Sequence, residues 1–214
     1  MIKNIVFDLG GVIADIDRDA AVAAFKRLGV PNIESYLDPY EQKGIFKMVE
    51  TGELSVTDFI QSLNQMVGHE IKPIEIYCAW QSFIKGVKVE KLQFINKLNK
   101  KHLVYLLSNT NPFVMQWAES IDFSEDEIPM QFYFDRMFLS YEMGVTKPDK
   151  RIFEKMIEQT EMKPEETLFI DDSQANIETA RKLGFQTYCP TEGEDWRPAV
   201  NLIINNLKYK QYEH

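Results

Sequence analysis

The sequence contains five short apolar runs separated by longer stretches with helical periodicity, and this alternation constrains the fold more than any other feature. The runs cover residues 5–7, 103–107, 137–139, 168–170 and 186–189. Near-continuous apolar character is typical of parallel strands that are covered on both faces. Amphipathic helical segments follow at residues 88–100, 150–159 and 174–183. The pattern predicts an α/β fold with a doubly wound, mainly parallel, five-stranded Rossmann-like core sheet.

The stretch from residue 15 to residue 85 interrupts this alternation. It contains helical patterns and no convincing strand: Asp17 is a suitable N-cap for a helix that ends at Gly29, and residues 57–66 and 73–84 also have helical spacing. Residues 44–52 fit either a helix or a loop. We therefore predict a small helical cap domain at 15–86, inserted into a core formed by 1–14 and 87–214. A surface helix is expected at 198–207.

Charge and hydropathy exclude several classes of protein. The formal net charge is −9, so the basic surface expected of a nucleic-acid-binding protein is lacking. The N-terminus lacks the pattern of a signal peptide, and no apolar run reaches transmembrane length. We expect a cytoplasmic protein that binds neither nucleic acid nor membrane. The sequence leaves the oligomeric state open.

Polar residues follow four of the predicted strands at the point where each strand ends. They lie in four segments: residues 8–11, 108–110, 144–148 and 171–173. Ligands of open parallel sheets bind just outside the carboxyl ends of the strands, so these segments are expected to meet.

The chemistry of these residues predicts a phosphate site. Asp8, Asp171 and Asp172 would bring three carboxylates together, which favours a divalent cation, and Mg²⁺ prefers such oxygen ligands. Ser108, Asn109 and Lys147 offer donors for phosphate oxygens. A carboxylate can attack phosphorus and form an aspartyl-phosphate.

Each segment also has a structural interpretation. Asp8 alone fits a turn residue, and Asp171 with Asp172 fits the cap of the following helix. Residues 108–110 fit the start of a loop, and Lys147 with Pro148 fits a solvated turn. The order of all four segments at strand ends favours the shared site.

The motifs resemble those of the haloacid dehalogenase superfamily, in the phosphatase-type branch with a helical cap inserted after the first motif. Residues 7–12, Phe-Asp-Leu-Gly-Gly-Val, resemble motif one, and residues 108–110, Ser-Asn-Thr, resemble motif two. Residues 147–149, Lys-Pro-Asp, resemble motif three, and residues 169–176 resemble motif four. The resemblance covers nearly the whole chain.

The resemblance implies a role for each matching residue. Asp8 would be the nucleophile and a Mg²⁺ ligand, and the backbone carbonyl of Gly10 would be a second ligand. Asp172, together with Asp171, would complete the metal site. Ser108 and Lys147 would hold phosphate with help from Asn109. Asn176 would support the site from behind the metal ligands.

Position 10 departs from the family pattern. Most phosphatases of this family carry a second aspartate two residues after the nucleophile, where it protonates the leaving oxygen and later activates water. Gly10 has no side chain, and loss of a positioned acid or base typically costs roughly 10²- to 10⁴-fold in rate. The activity would then be weak, or Asp15 or a cap residue would substitute. Four cap residues are candidates for substrate contact, although each also fits a core or surface role: Phe46, Glu50, Thr51 and Trp80.

Three hypotheses follow for function. The first is a Mg²⁺-dependent phosphatase that acts on a small phosphorylated metabolite such as a sugar phosphate. The second, favoured by Gly10, is a non-catalytic protein that binds a phosphorylated ligand. The third is a metal-independent 2-haloacid dehalogenase, which the pair Asp171 and Asp172 argues against.

Overall fold

The computed structural model describes residues 1–38 and 42–205. The strands are β1 (Asn4–Phe7), β2 (Ala14–Ile16), β3 (Ile84–Val87), β4 (Leu103–Ser108), β5 (Arg136–Leu139), β6 (Thr167–Ile170) and β7 (Gln186–Tyr188). The helices are α1 (Arg18–Arg27), α2 (Gly44–Glu50), α3 (Val56–Val67), α4 (Pro73–Gln81), α5 (Val89–Asn99), α6 (Pro112–Ala118), α7 (Ser140–Met143), α8 (Lys150–Thr160), α9 (Gln174–Lys182) and α10 (Arg197–Ile204).

The central sheet is parallel and has the strand order β5-β4-β1-β6-β7. β1 is the middle strand, and Phe7 at its end pairs with Leu106 of β4 and Ile170 of β6. The residues that follow β1, β4 and β6 therefore leave the sheet at the same edge. All five predicted core strands form, and the prediction of a parallel, Rossmann-like core sheet is confirmed.

The prediction that residues 15–85 contain no strand was wrong at both ends of this stretch. β2 and β3 pair antiparallel, with Ala14 opposite Val87. The helix expected at 73–84 ends at Gln81 because Ile84 begins β3. These strands have three and four residues, too few for a clear pattern. Their partners are distant in sequence, because β2 and β3 pair with each other across the helices between them.

Helices α1–α4 at residues 18–81 form what we call the helical insert. Asp17 caps α1, as predicted, because its carboxylate accepts a hydrogen bond from the Ala20 amide at 2.9 Å. The undecided segment at 44–52 contains helix α2. The predicted domain boundaries at 14/15 and 86/87 fall inside β2 and β3, and the division into core and cap stays a prediction. The helix expected at 198–207 corresponds to α10, and residues 206 and 207 lie outside the described part of the chain.

Aromatic side chains join the helical insert to the core. Phe46 at the centre of the insert is fully buried, and its ring lies 5.5 Å from that of Trp80. Phe113 of α6 lies 5.2 Å from Phe59 and 6.1 Å from Trp80, so the same cluster continues onto the core. Burial of such rings, with edge-on and stacked contacts, anchors one layer on the other. None of the described helices has the length and apolar character needed to cross a membrane.

Candidate active site

Three carboxylates meet at the carboxyl end of the central strands. Asp8 follows β1, and Asp171 and Asp172 follow β6, which is its neighbour in the sheet. One carboxylate oxygen from each residue lies within 4.8 Å of the other two. The structure thus brings together carboxylates from opposite ends of the chain, in the way that parallel neighbouring strands require.

The ammonium of Lys147 lies between two of these carboxylates. Its Nζ is 2.8 Å from Asp8 Oδ1 and 2.7 Å from Asp171 Oδ2, and it also donates to the Leu107 carbonyl at 2.8 Å. The side chain is only 1% exposed. Burial lowers the pKa of Lys147, but the charges and hydrogen bonds of Asp171 and Asp8 outweigh it and raise the pKa. Lys147 is therefore a permanent positive charge.

Asp8 has one oxygen engaged and one available. Its Oδ1 accepts hydrogen bonds from the Leu9 amide at 2.7 Å and from Lys147. No hydrogen bond from the described residues reaches Oδ2. Burial, with the charges of Asp171 and Asp172, raises the pKa of Asp8 to about 7 despite the opposing charge of Lys147. A second cation near Oδ2 would lower this pKa and keep the carboxylate charged at neutral pH.

The two adjacent aspartates have different surroundings. Asp171 is fully buried, and its oxygens accept four hydrogen bonds: one from Lys147, one from the Ser173 amide and two from the Asn176 amide. A carboxylate has about four acceptor sites, so those of Asp171 are filled. Asp172 is partly exposed, and burial together with the Asp171 charge raises its pKa to about 6. Asp172 is therefore the better placed of the two to bind a cation directly.

The donor set fits a hard divalent ion. Three carboxylates face one ammonium, which leaves two negative charges in a buried site when all are ionised. Mg²⁺ favours oxygen ligands from one or two carboxylates. Asp8 Oδ2 and Asp172 are available as ligands for such an ion, whereas the oxygens of Asp171 already accept hydrogen bonds from Lys147 and Asn176.

The turn after β1 brings the backbone close to this donor set. Gly11 donates to the Ala14 carbonyl at 2.9 Å, and Ala14 donates to the Leu9 carbonyl at 2.8 Å. Neither bond uses the carbonyl of Gly10, which is the backbone group predicted to contact the metal. Gly11 has a φ of +71°, and a Cβ there would lie 2.2 Å from Asp172 Oδ2. Only glycine allows this approach.

Sequence reasoning missed two residues that hold the turn. The Lys91 ammonium on α5 donates to the Val12 carbonyl at 2.7 Å, and the Trp196 indole donates to the same carbonyl at 2.8 Å. Both side chains are buried. A buried lysine on an amphipathic helix is unusual, but nothing local indicates its distant partner.

Ser108 and Asn109 follow β4 beside the carboxylates. Asn109 exchanges two hydrogen bonds with the backbone of Lys147: its Oδ1 accepts from the amide at 2.8 Å, and its Nδ2 donates to the carbonyl at 2.9 Å. Its amide is therefore occupied in orienting Lys147. The buried Ser108 hydroxyl contacts the Asn109 carbonyl at 3.3 Å, a long bond that leaves it able to rotate toward a ligand.

Asp15, which was expected to replace the missing aspartate, and Glu50, which was expected to contact the substrate, lie in different places. Asp15 is ion-paired with Lys91 at 3.2 Å and Lys88 at 3.6 Å. It lines an open cleft shared with Asp172 and Gly11. Glu50 of the insert instead lines a cavity of about 100 Å³ that also contains Gly10 and Asn109. Among the candidates for substrate contact, Phe46 lies in the aromatic cluster, and Thr51 bonds to Glu53 at the insert surface.

Comparisons with known proteins show the family of this chain. A family model described as haloacid dehalogenase-like hydrolase matches residues 2–184. A D-ribitol-5-phosphate phosphatase from Bacteroides thetaiotaomicron is 48% identical over 206 residues, which are 96% of this chain and 100% of that protein.

Solved structures are similar over nearly the whole chain. A predicted HAD-like family hydrolase from Porphyromonas gingivalis has a TM-score of 0.91 and 43% identity, covering 95% of this chain and 98% of that one. A HAD family enzyme from Bacteroides thetaiotaomicron, in complex with magnesium and inorganic phosphate, has a TM-score of 0.85 and 38% identity, covering 92% of this chain and 98% of that one. The chain belongs to the haloacid dehalogenase-like hydrolases, and the prediction of an enzyme of this family is confirmed.

Proposed function

We propose that the protein is a Mg²⁺-dependent phosphatase that hydrolyses a small phosphorylated polyol or sugar. The observation that carries this proposal is the buried cluster of Asp8, Asp171, Asp172 and Lys147. In that cluster one carboxylate oxygen is free beside a fixed ammonium. Phosphoryl transfer depends on such a charge clamp and on positioning of the nucleophile. The relative that is 48% identical is a D-ribitol-5-phosphate phosphatase, which supports a phosphorylated sugar alcohol as substrate.

Each residue of the cluster has a part in the proposed reaction. Asp8 Oδ2 attacks phosphorus, the bond to the leaving oxygen breaks, and an aspartyl-phosphate forms and is then hydrolysed. Lys147 neutralises Asp8 and the phosphate oxygens, with Asp171 and Asn176 holding it in place. Ser108 donates to phosphate, and Asn109 keeps Lys147 oriented.

Asp8, Asp172 and the Gly10 carbonyl would hold Mg²⁺, with Asp171 in support. The bound ion would supply positive charge for the phosphate oxygens. The helical insert would act as a cap that excludes water and contacts the leaving group. In this proposal residues 15–86 form the cap and the remaining residues form the core.

Phosphate release from a panel of phosphorylated sugars and sugar alcohols tests the proposal. We expect turnover of D-ribitol 5-phosphate with Mg²⁺, none with a chelator, and a fall of at least about 10³-fold in Asp8→Asn, because the amide cannot attack. Asp19→Asn, which alters an exposed carboxylate at the start of α1, is the matched control and should behave like wild type. Hydrolysis that persists in Asp8→Asn would refute the mechanism.

A non-catalytic phospholigand-binding protein is the alternative that Gly10 suggests, and membership of a hydrolase family argues against it. It predicts thermal stabilisation by a phosphorylated sugar with Mg²⁺ but no phosphate release. Hydrolysis that depends on Asp8 would exclude it.

A further inference from the structure

Hydrolysis of an alkyl phosphate needs a proton at the leaving oxygen. An alkoxide is a poor leaving group, and a positioned acid typically accelerates its departure by roughly 10²- to 10⁴-fold. Position 10 offers no side chain for this step. The question of which group supplies the proton rests on the proposed phosphatase function.

The groups of the carboxylate cluster are already committed. Asp8 attacks, Lys147 is shared by two carboxylates, and the acceptor sites of Asp171 are filled. Asp15 is paired with Lys91 and lines the cleft on the Gly11 side of the turn. An acid for the leaving group must therefore come from another element.

The cavity beside Gly10 contains an uncommitted carboxyl group. Glu50 is only 7% exposed, and it forms no hydrogen bond or ion pair with any residue in the described ranges. Gly10 of the β1 turn and Asn109 after β4 line the same cavity. The volume of about 100 Å³ exceeds the roughly 10–15 Å³ that one water needs.

Two further residues that line this cavity carry buried polar atoms to which no described residue provides a hydrogen bond. They are Trp80, through its indole Nε1, and Thr110, through its hydroxyl Oγ1. An unsatisfied buried polar group costs about 1–3 kcal/mol, so two such atoms beside the Glu50 carboxyl group indicate a polar ligand. The hydroxylated chain of a sugar or polyol provides both the donors and the acceptors that these groups lack.

We propose that Glu50 contacts the leaving oxygen of the substrate in this cavity and performs the proton transfers for which position 10 has no side chain. Glu50 is the last residue of α2, so the acid and base would come from the helical insert and reach the substrate only when the insert lies on the core.

The surroundings keep the carboxyl group protonated near neutral pH. Burial raises the pKa of Glu50 to about 8, and Lys47, one turn earlier on the same helix, opposes this only in part. The other elements that line the cavity present uncharged groups: Gly10, Ile16, Gln42, Trp80, Asn109 and Thr110. A group with such a pKa can donate a proton and take one back.

The proton balance closes over one turnover. As Asp8 forms its bond to phosphorus and the bond to the leaving oxygen breaks, the Glu50 proton passes to that oxygen and the alcohol departs. The Glu50 carboxylate then takes a proton from the water that attacks the aspartyl-phosphate. The bond between phosphorus and Asp8 breaks, which releases phosphate and restores both residues.

The test compares two substrates that differ in their need for an acid. In full-length Glu50→Gln, kcat for D-ribitol 5-phosphate should fall by roughly 10²- to 10⁴-fold. The rate constant of the dinitrophenolate burst from 2,4-dinitrophenyl phosphate should stay within about threefold of wild type, because that anion leaves without a proton. Glu53→Gln, an exposed carboxyl nearby in the insert, is the matched control and should leave both rates unchanged. A structural defect would lower both rates together.

A second variant tests whether a carboxyl group at position 10 restores the activity lost with Glu50. A Cβ on Gly10 would meet only Ile16 Cγ2, at an ordinary 3.5 Å, so aspartate fits there. The double variant Gly10→Asp/Glu50→Gln should regain at least about tenfold in kcat for D-ribitol 5-phosphate. Equal losses on both substrates, or wild-type turnover in Glu50→Gln, would overturn the role of Glu50 while leaving the phosphatase function intact. A wild-type protein that hydrolyses neither substrate would overturn both.

Discussion

At the scale of single residues, the ammonium of Lys147 balances much of the negative charge of the site. It is buried, its donors are directed at Asp8, Asp171 and the Leu107 carbonyl, and Asn109 holds its backbone. Removing one member of a buried cluster of charges lowers the free energy of unfolding by more than the intact cluster adds to it, because the remaining charges stay buried without compensation.

Replacing Lys147 with methionine should therefore unfold the protein more easily as well as abolish turnover. We expect Lys147→Met to lower the free energy of unfolding by about 3–5 kcal/mol. Mg²⁺ should restore part of this loss, because its charge would offset the carboxylates that Lys147 no longer neutralises. Denaturant unfolding with and without Mg²⁺ measures both effects. Lys150→Met, which alters an exposed lysine paired with Glu154, should change stability by less than about 1 kcal/mol. Equal stability of the two variants would contradict the charge balance described.

Glu50 should make the stability of the protein depend on pH. Its pKa is raised to about 8 in the folded state from 4.5, so its contribution is fully present below pH 4.5 and is lost as the pH rises toward 8. Glu50→Gln cannot ionise, and we expect it to be more stable than wild type by an amount that grows from pH 5 to pH 8 and is on the order of 3 kcal/mol at pH 7. Denaturant unfolding across this range, with Glu53→Gln as control, tests the prediction. A pH-independent difference would show that Glu50 is ionised when folded.

At the scale of elements, the turn between β1 and β2 is held by groups from outside itself. Lys91 of α5 and Trp196 before α10 both donate to the Val12 carbonyl, and the ring of Trp196 lies 5.1 Å from that of Phe7. The turn is thus held by Lys91 and Trp196 through Val12, while Gly11 lies against Asp172. This fixed geometry allows the backbone to serve as part of the proposed metal site.

Gly11→Ala should disrupt that geometry. The new Cβ would lie 2.2 Å from Asp172 Oδ2 at a φ of +71°, so either the turn or Asp172 must move, at a cost of about 1–3 kcal/mol. We expect Mg²⁺ binding, measured by calorimetry, to weaken at least about tenfold because Asp172 is displaced. Gly86→Ala on β3, where a Cβ would meet nothing within 4 Å, should bind Mg²⁺ like wild type. Unchanged affinity in Gly11→Ala would argue against Asp172 as a ligand.

At the scale of the whole molecule, helix α2 connects the insert to the segment that carries Lys147. Lys47 on α2 donates to Thr146 at 2.8 Å, next to Lys147. Gly52, just after α2, packs so closely on the Tyr141 carbonyl that a Cβ there would lie 2.1 Å away. These contacts and the aromatic cluster seat the insert on the core with Glu50 over the cavity.

Gly52→Ala should push the insert away from the core. We expect the variant to lose at least about tenfold in kcat/KM for D-ribitol 5-phosphate, since misplacement of a catalytic group by about 1 Å can cost 10²-fold, and to have a lower Tm. Gly68→Ala is the matched control: its φ of +79° is similar to the +71° of Gly52, but a Cβ there meets nothing within 4 Å. Both variants carry backbone strain, so only the contact with Tyr141 separates them. Equal activity of the two would show that this contact does not position the insert.

Much of the fold and part of the site follow from local pattern. The five core strands are predictable because each is a compact apolar run, and Asp8, Ser108, Lys147 and Asp171 stand out as polar residues at strand ends. Strands β2 and β3 escaped prediction because each is too short to show a period and they pair with each other across a distance of about 70 residues. The parts played by Lys91 and Trp196 were missed for the same reason, as their shared partner is a distant backbone carbonyl.

The sequence by itself determined which chemical groups gather at the edge of the sheet, because parallel strands carry the residues that follow them to one place. Only the tertiary structure decided which of those groups are held by hydrogen bonds and which are available to react. Hydrogen-bond capacity, which depends on neighbours far along the chain, commits Asp171 to Lys147 and Asn176 and leaves Asp8 Oδ2 free. Packing of the insert on the core likewise buries Glu50 beside Gly10, where no described residue pairs with its carboxyl group, and no local pattern specifies that contact.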